Sequence, residues 1–424
     1  MLRIPLLSRY ESSPLYRGLM AFGSAEMINR VARILAVVVI ARQVSPAMMG
    51  AAALALSLFE VVRVLTNAGI GQRVIAVGAT QLDATCNTAG RLFWLWCLLV
   101  CGVQLLLAGA LWLTGLSDIA VMLSVLAGVY LFMPAGLVSV NLLMREERFG
   151  AIARIATIQN VSDHLLTLIL VLIWPSAWAI VLPKLCTAPL WLILARRARP
   201  WAPCSRSGYA PWRGFVGFGT GVLISELVNV GRVQLDKLIV GALFGVNALG
   251  IYYFAFNAGL GITTSFVMAL GQVLFPYLCS AKDASQRRQR CRKGMRVALL
   301  VFLPILLAQV TLAPWYVPWV FGAQWTEAAP LVSVLGLGAI PMIFAAVASA
   351  WLRANDHAGI EAGISSASTA AALTGLVTFA SWGLMASAVA YVAGLAMVVI
   401  PMALWLLSRR DVAAEAATPE RSCV

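Results

Sequence analysis

Charge is scarce in this chain of 424 residues: Asp, Glu, Lys and Arg together make up 11%, against about 25% in soluble proteins. Histidine occurs twice, as His164 and His357, too few for a metal-ligand cluster. The eight cysteines are scattered without a C-x-x-C pair, and Cys97 and Cys101 sit one helical turn apart in an apolar run, the pattern of reduced structural thiols. These scarcities exclude an extracellular disulfide scaffold, and a hydrophobic content of 61% excludes a disordered or collagenous chain. No glycine-rich segment has the context of a nucleotide site: Gly217–Gly221 has neither a strand before it nor a P-loop lysine after it, which leaves close helix packing.

What the chain has in abundance is apolar sequence in runs of about 20 residues, the length that crosses a bilayer as a helix. With mean hydropathy at +0.88, the expectation is an all-α polytopic membrane protein. Twelve spans are expected near 18–41, 46–66, 91–114, 119–143, 152–173, 176–195, 214–237, 245–268, 296–314, 328–352, 359–380 and 384–407. Arg3, Arg9 and Arg17 precede the first span without a small-residue cleavage site, so the N-terminus is expected to stay uncleaved.

The formal charge of +14 sorts by membrane side and does not imply nucleic acid. With the N-terminus inside, 24 of the 31 basic residues fall in cytoplasmic segments and only Arg42 in an outer hairpin. Positive loops stay in the cytoplasm, so both termini are expected there. The densest basic runs, 196–213 and 282–296, suit contact with the inner leaflet. Tryptophans prefer the membrane interface, and Trp112, Trp174, Trp178, Trp315, Trp319, Trp325 and Trp382 are expected to mark the outer one.

Sliding the chain by 200 residues superposes 26–75 on 226–275, with identities at Glu26/Glu226, Asn29/Asn229, Leu35/Leu235, Gly50/Gly250, Ala55/Ala255, Gly71/Gly271 and Gln72/Gln272. The offset lays span one on span seven. Two six-helix bundles, 18–200 and 201–408, are therefore expected, with cytoplasmic ends at 1–17 and 409–424. A parallel repeat of this kind has its axis along the membrane normal and is expected to enclose a central cleft.

Ala41-Arg42-Gln43-Val44-Ser45-Pro46 with Gly50, followed by Gly69-Ile70-Gly71-Gln72, resembles the L-A-R-x-L-x-P-x-x-x-G … G-L-G region of bacterial polysaccharide flippases. In the second half Asp236-Lys237-Leu238-Ile239-Val240-Gly241, Leu249-Gly250-Ile251-Tyr252, Ala255, Leu274-Phe275-Pro276, Phe321-Gly322 and Trp325 follow in order. That series is similar to a pattern of the same family, the polysaccharide-transporter branch of the multidrug/oligosaccharidyl-lipid/polysaccharide exporters. The resemblance covers roughly 15–400. It implies a flippase, not an enzyme, that carries undecaprenyl-diphosphate-linked oligosaccharide units across the bacterial inner membrane for exopolysaccharide, capsule or O-antigen assembly. Membrane lipids surround it, and polysaccharide polymerase and chain-length machinery are its candidate protein partners; no cofactor is implied.

Eleven charges fall within the expected spans: Glu26, Arg30, Arg33, Glu60, Arg63, Asp163, Lys184, Glu226, Arg232, Asp236 and Lys237. At about 2.5–3.5 kcal/mol each, exposing all of them to lipid would cost on the order of 30 kcal/mol, more than a fold's net stability. Most must pair, snorkel or face water. Glu60 with Arg63, and Asp236 with Lys237, lie near span ends, where snorkelling or local pairing suffices. Glu26 and Arg30 can neutralise each other at i, i+4, and Arg33, seven residues from Glu26, lies on nearly the same face. Arg30, Arg33 and Arg232, with Glu26, Glu226, Asn29 and Asn229 beside them at repeated positions, are the candidate substrate-binding residues, since guanidinium pairs phosphate bidentately.

Span five carries a polar stripe of Gln159, Asn160, Asp163, His164 and Thr167. Asp163 lies about 17 Å into that span at 1.5 Å per residue, level with Lys184 on the neighbouring span. The pair reads either as a buried structural salt bridge or as an ion-coupling site in which Asp163 takes up a proton when Lys184 moves away. Two other functions compete. A multidrug or metabolite antiporter would favour an acidic, aromatic cleft, against which the arginines of spans one and seven argue. A membrane polysaccharide polymerase would need a large outer loop with carboxylates and arginines, and the longest, around 315–327, offers only Glu327.

Overall fold

The computed structural model describes residues 32–67 and 69–408. Among them every regular element is helical, as backbone groups in hydrocarbon require when no barrel is closed. Ten helices are long and apolar enough to cross a membrane. Nine of the expected spans have a one-to-one counterpart among these ten. The tenth, Val222–Gly259, joins expected spans seven and eight, and most of expected span one lies outside the described residues.

The first compact unit comprises Met1–Tyr253 with Trp319–Trp325. Its described part opens with α1, helical over 32–43, and α2 (Pro46–Val64). Ser45 separates them: its extended backbone breaks the helix, its hydroxyl accepts from the Met48 amide, and Pro46 occupies the first turn of α2, where proline's missing N–H costs nothing. A short α3 (Ile70–Ala76) leads to α4 (Leu82–Leu113), α5 (Ser117–Leu126), α6 (Val129–Arg145), α7 (Phe149–Ile173) and α8 (Ala177–Ala198). Helix α8 packs against α2, α5, α6 and α7, and α4 against α5 and α6. One core cluster joins Ile70, Val74, Cys86, Ala89, Phe93, Val138, Leu142 and Phe215.

Helix α9 (Arg213–Gly259) is two helices end to end, divided at Gly245, whose φ of 81° and ψ of 176° are non-helical and open essentially to glycine alone. Ser45 and Gly245 are 200 residues apart, so the sequence repeat and the chain breaks share one register.

The connector 199–212 is strapped to the start of α4. The Asn87 amide donates to the carbonyls of Cys204 (2.7 Å) and Gly208 (2.9 Å) and accepts from the Cys204 N–H (3.0 Å). Thr88 donates to the Ala210 carbonyl at 2.8 Å, and the Arg91 guanidinium stacks 3.8 Å from the Tyr209 ring centre. Arg199 pairs with Glu146 at 2.7 Å, and Arg145 donates to the carbonyls of Val74, Ile75 and Val77. Segments 67–90, 144–151 and 196–213, assigned to one membrane side by charge, thus meet in space.

The second unit comprises Phe254–Pro318 and Thr326–Val424, built on α10 (Gly261–Cys279), α11 (Ala284–Tyr316), α12 (Ala329–Leu337), α13 (Ala339–Ala354), α14 (Ala358–Thr378) and α15 (Leu384–Ser408). Helix α13 packs against α10, α11, α14 and α15. Helix α11 spans 33 residues, about 50 Å at 1.5 Å each, so its basic first turns extend beyond a hydrocarbon layer of about 30 Å. There Arg287 donates to Asn355 at 2.7 Å, while Arg353 and Glu361 pair at 2.5 Å.

Candidate functional site

The expected pairing of α7 and α8 through charge is present. Lys184 Nζ lies 2.8 Å from Asp163 Oδ2, with the lysine side chain 36% exposed and the aspartate 9%. Asp163 is fourteen residues into α7, about 21 Å at 1.5 Å per residue, close to mid-helix. Its second oxygen, Oδ1, is buried without a hydrogen-bond partner. A fully satisfied carboxylate accepts several hydrogen bonds, so this one is held by a single contact. Local sequence shapes the lysine's surroundings: Pro183 and Pro189 lie within α8, each removing one helical donor, and Thr187 donates to the Pro183 carbonyl at 2.9 Å.

His164 follows Asp163 and is half-buried. Arg33, on α1 and also half-buried, lies within electrostatic range of His164, as do Asp163 and Lys184. Three helices of the first unit therefore bring two basic side chains, one carboxyl group and one imidazole into a single region at membrane depth. Guanidinium and ammonium groups so placed can pair with an anionic group.

The other candidates divide. Glu26, Asn29 and Arg30 lie outside the described residues. On α9, Glu226 is half-buried while Asn229 and Arg232 are exposed. Glu60 and Arg63 form a local pair at 2.5 Å, as expected. Asp236 and Lys237 do pair, at 3.2 Å, but snorkelling is overturned: their side chains are only 2% and 6% exposed. Tyr252, fully buried beyond the Gly245 break, donates its hydroxyl to Asp236 Oδ2 at 3.0 Å. A buried ion pair needs such extra hydrogen bonds. Tyr252 was missed as a polar partner, although it stands in the same ordered motif series as Asp236. Trp325 also departs from expectation: it is fully buried and donates its indole N–H to the Ala41 carbonyl at 2.6 Å, instead of marking the interface. Trp112, Trp174, Trp315, Trp319 and Trp382 are exposed.

Comparison with known proteins gives the class first. The lipid II flippase MurJ, in an inward closed conformation, superposes with a TM-score of 0.74 over 92% of this chain and 88% of that one at 12% identity. An inward-facing multidrug resistance MATE family transporter of the MOP superfamily gives 0.66 over 91% and 96% at 14% identity. The fold is that of these multi-pass membrane transporters. Residues 39–330 match the model of the polysaccharide biosynthesis protein family, and the chain belongs to that family. Among curated relatives, the teichuronic acid biosynthesis protein TuaB of Bacillus subtilis is 25% identical over 228 residues, 52% of this chain and 46% of TuaB. The succinoglycan biosynthesis transport protein ExoT of Rhizobium meliloti is 22% identical over 305 residues, 70% of this chain and 61% of ExoT. The chain thus spans less than two thirds of the length of these relatives.

Proposed function

We propose that this protein is a flippase that moves undecaprenyl-diphosphate-linked oligosaccharide units from the inner to the outer face of the bacterial cytoplasmic membrane, with both termini cytoplasmic, for surface polysaccharide assembly. The observation that carries the reading is the grouping of Arg33, Asp163, His164 and Lys184 at membrane depth in a chain of the polysaccharide biosynthesis family. Basic side chains grouped inside the bilayer are costly and suit a diphosphate headgroup. The names of TuaB and ExoT support the polysaccharide side of the reading, and that of MurJ the lipid-linked side.

In this scheme Arg33 and Arg232, with Arg30, hold the diphosphate, and Glu26, Glu226, Asn29 and Asn229 orient them and the sugar. Asp163 alternates between Lys184 and a proton, which couples movement of the headgroup to an ion gradient. Polysaccharide polymerase and chain-length machinery are the partners that would take the product. Expression in a strain deleted for its own flippase tests the reading: surface polysaccharide should return with the wild-type chain. With Arg33→Ala it should not, although the protein reaches the membrane at normal level. Unchanged polysaccharide in that variant would remove Arg33 from the site. Asp163→Asn should eliminate gradient-driven transport while leaving lipid binding measurable. Restored transport in Asp163→Asn with Lys184→Gln would show the pair to be structural only.

A further inference from the structure

Seven basic residues and a single acid, Asp283, stand between positions 282 and 296. The acid is the N-cap of α11, where its carboxylate accepts from the Gln286 amide at 2.6 Å. Helix α11 sorts the cations by face. Arg287 donates to Asn355 Oδ1 at 2.7 Å. Arg290 donates to the Tyr277 carbonyl at 2.7 Å and the Ser280 hydroxyl at 2.6 Å, with its guanidinium 4.8 Å from the Tyr277 ring centre. Those two arginines fasten α11 to its own unit, whereas Arg292, Lys293 and Arg296 are exposed.

At about 100° per residue, these three cations occupy about a third of the helix circumference, opposite Cys291, Met295 and Ala298, which are buried. Arg292 and Arg296, at i, i+4, repel one another, a cost that an anion between them removes. The same outward face continues as Val297, Leu300 and Val301, which are 51%, 76% and 51% exposed. About 20 helical residues cross the hydrocarbon layer, and that length counted back from Tyr316, the end of α11, reaches Val297. The three cations therefore stand just outside the hydrocarbon, at headgroup level, next to an apolar strip that faces the acyl chains.

We propose that Arg292, Lys293 and Arg296 bind the phosphodiester headgroup of an anionic phospholipid of the phosphatidylglycerol type, whose acyl chains lie along Val297, Leu300 and Val301. Guanidinium pairs phosphate bidentately, and ammonium meets it as a point charge. A zwitterionic headgroup brings a cation of its own to a turn that already holds three. A soluble anion gains nothing from the apolar strip. Binding here does not depend on which molecule the protein transports.

Fluorescence quenching tests the site on the purified full chain in dodecyl maltoside micelles. With the exposed Cys186, Cys204 and Cys279, and Cys423, replaced by Ser, a fluorophore on Leu307→Cys sits two turns beyond Leu300 on the same exposed face. The quencher is phosphatidylglycerol with a nitroxide on its acyl chain. It should reach half-quenching at far lower concentration than phosphatidylcholine labelled in the same way. Each basic residue near an anionic headgroup contributes about a fivefold factor in affinity. Arg292→Gln, Lys293→Gln and Arg296→Gln together should therefore raise the half-quenching concentration of phosphatidylglycerol about a hundredfold, with that of phosphatidylcholine unchanged. Should the triple variant not accumulate, Arg296→Gln alone should raise it about fivefold, and Arg296→Lys should leave it near the wild-type value. Equal concentrations for the two lipids on the unsubstituted turn, or no shift in the glutamine variants, would overturn the site. So would displacement of the labelled phosphatidylglycerol by undecaprenyl diphosphate at lower concentration than by unlabelled phosphatidylglycerol, which would assign the turn to a transported lipid instead.

Discussion

Replacing Lys184 with Met should destabilise the protein more than replacing Asp163 with Asn, although both break the same ion pair. The asymmetry follows from burial. Asp163 is 9% exposed, its Oδ2 is held by Lys184 at 2.8 Å, and its Oδ1 has no partner. Without the lysine, the carboxylate is stranded at mid-membrane. Removing one member of a buried pair costs about 3–5 kcal/mol, and because the lysine side chain is 36% exposed, water screens part of that. About 2–3 kcal/mol is expected for Lys184→Met. In Asp163→Asn the ammonium can hydrate through its open side and still donate to the amide oxygen, so about 0.5–1 kcal/mol is expected. The double variant should resemble Asp163→Asn alone, a coupling of about 2–3 kcal/mol. Unfolding in detergent followed by tryptophan fluorescence gives the four stabilities of the cycle. Equal losses in the two single variants, or additive losses in the double, would refute the reasoning.

Three further predictions concern the connector 199–212. The Ser207 hydroxyl hydrogen-bonds the exposed Cys204 thiol and holds its pKa below the usual value. The thiolate is the reactive form, so Cys204 should keep its maleimide reactivity to lower pH than a free cysteine, and Ser207→Ala should lose that advantage. An impermeant maleimide should reach Cys204 only after intact cells are permeabilised, and labelling of intact cells that disappears in Cys204→Ser would invert the topology. Asn87→Ala removes three hydrogen bonds to the connector; it should cost about 1–3 kcal/mol and speed proteolysis within 199–212, which limited trypsin digestion at Arg206 would show.

Depth arithmetic was enough to bring Asp163 and Lys184 together, because α7 and α8 are joined by a short turn and neighbouring antiparallel helices place residues of equal depth side by side. The repeat was legible for a similar reason: a shift of 200 residues preserves Gly50 and Gly250, and backbone contact at both positions excludes any side chain. Contacts between distant segments were not legible. Arg42 and Val320 are separated by 278 positions, and nothing in their neighbours' hydropathy marks the pair. Local pairing of Asp236 with Lys237 was legible from their adjacency, whereas their burial was not, because closeness to a span end does not fix access to water. Which face of a helix is covered depends on a partner such as Tyr252, and composition carries no record of that. Trp325 shows the same limit from the other side, since an indole N–H is satisfied equally well by interfacial water and by a buried carbonyl.

The central claim is transport of a lipid-linked saccharide through a cationic site, and proteoliposomes test it most directly. With a fluorescent polyprenyl-diphosphate oligosaccharide in both leaflets, a reagent confined to the outside should consume about half of the label without protein and nearly all of it with the wild-type chain. Arg33→Ala should return the signal to about half. Full consumption by Arg33→Ala, or half consumption by a wild-type preparation that restores surface polysaccharide in cells, would contradict the account.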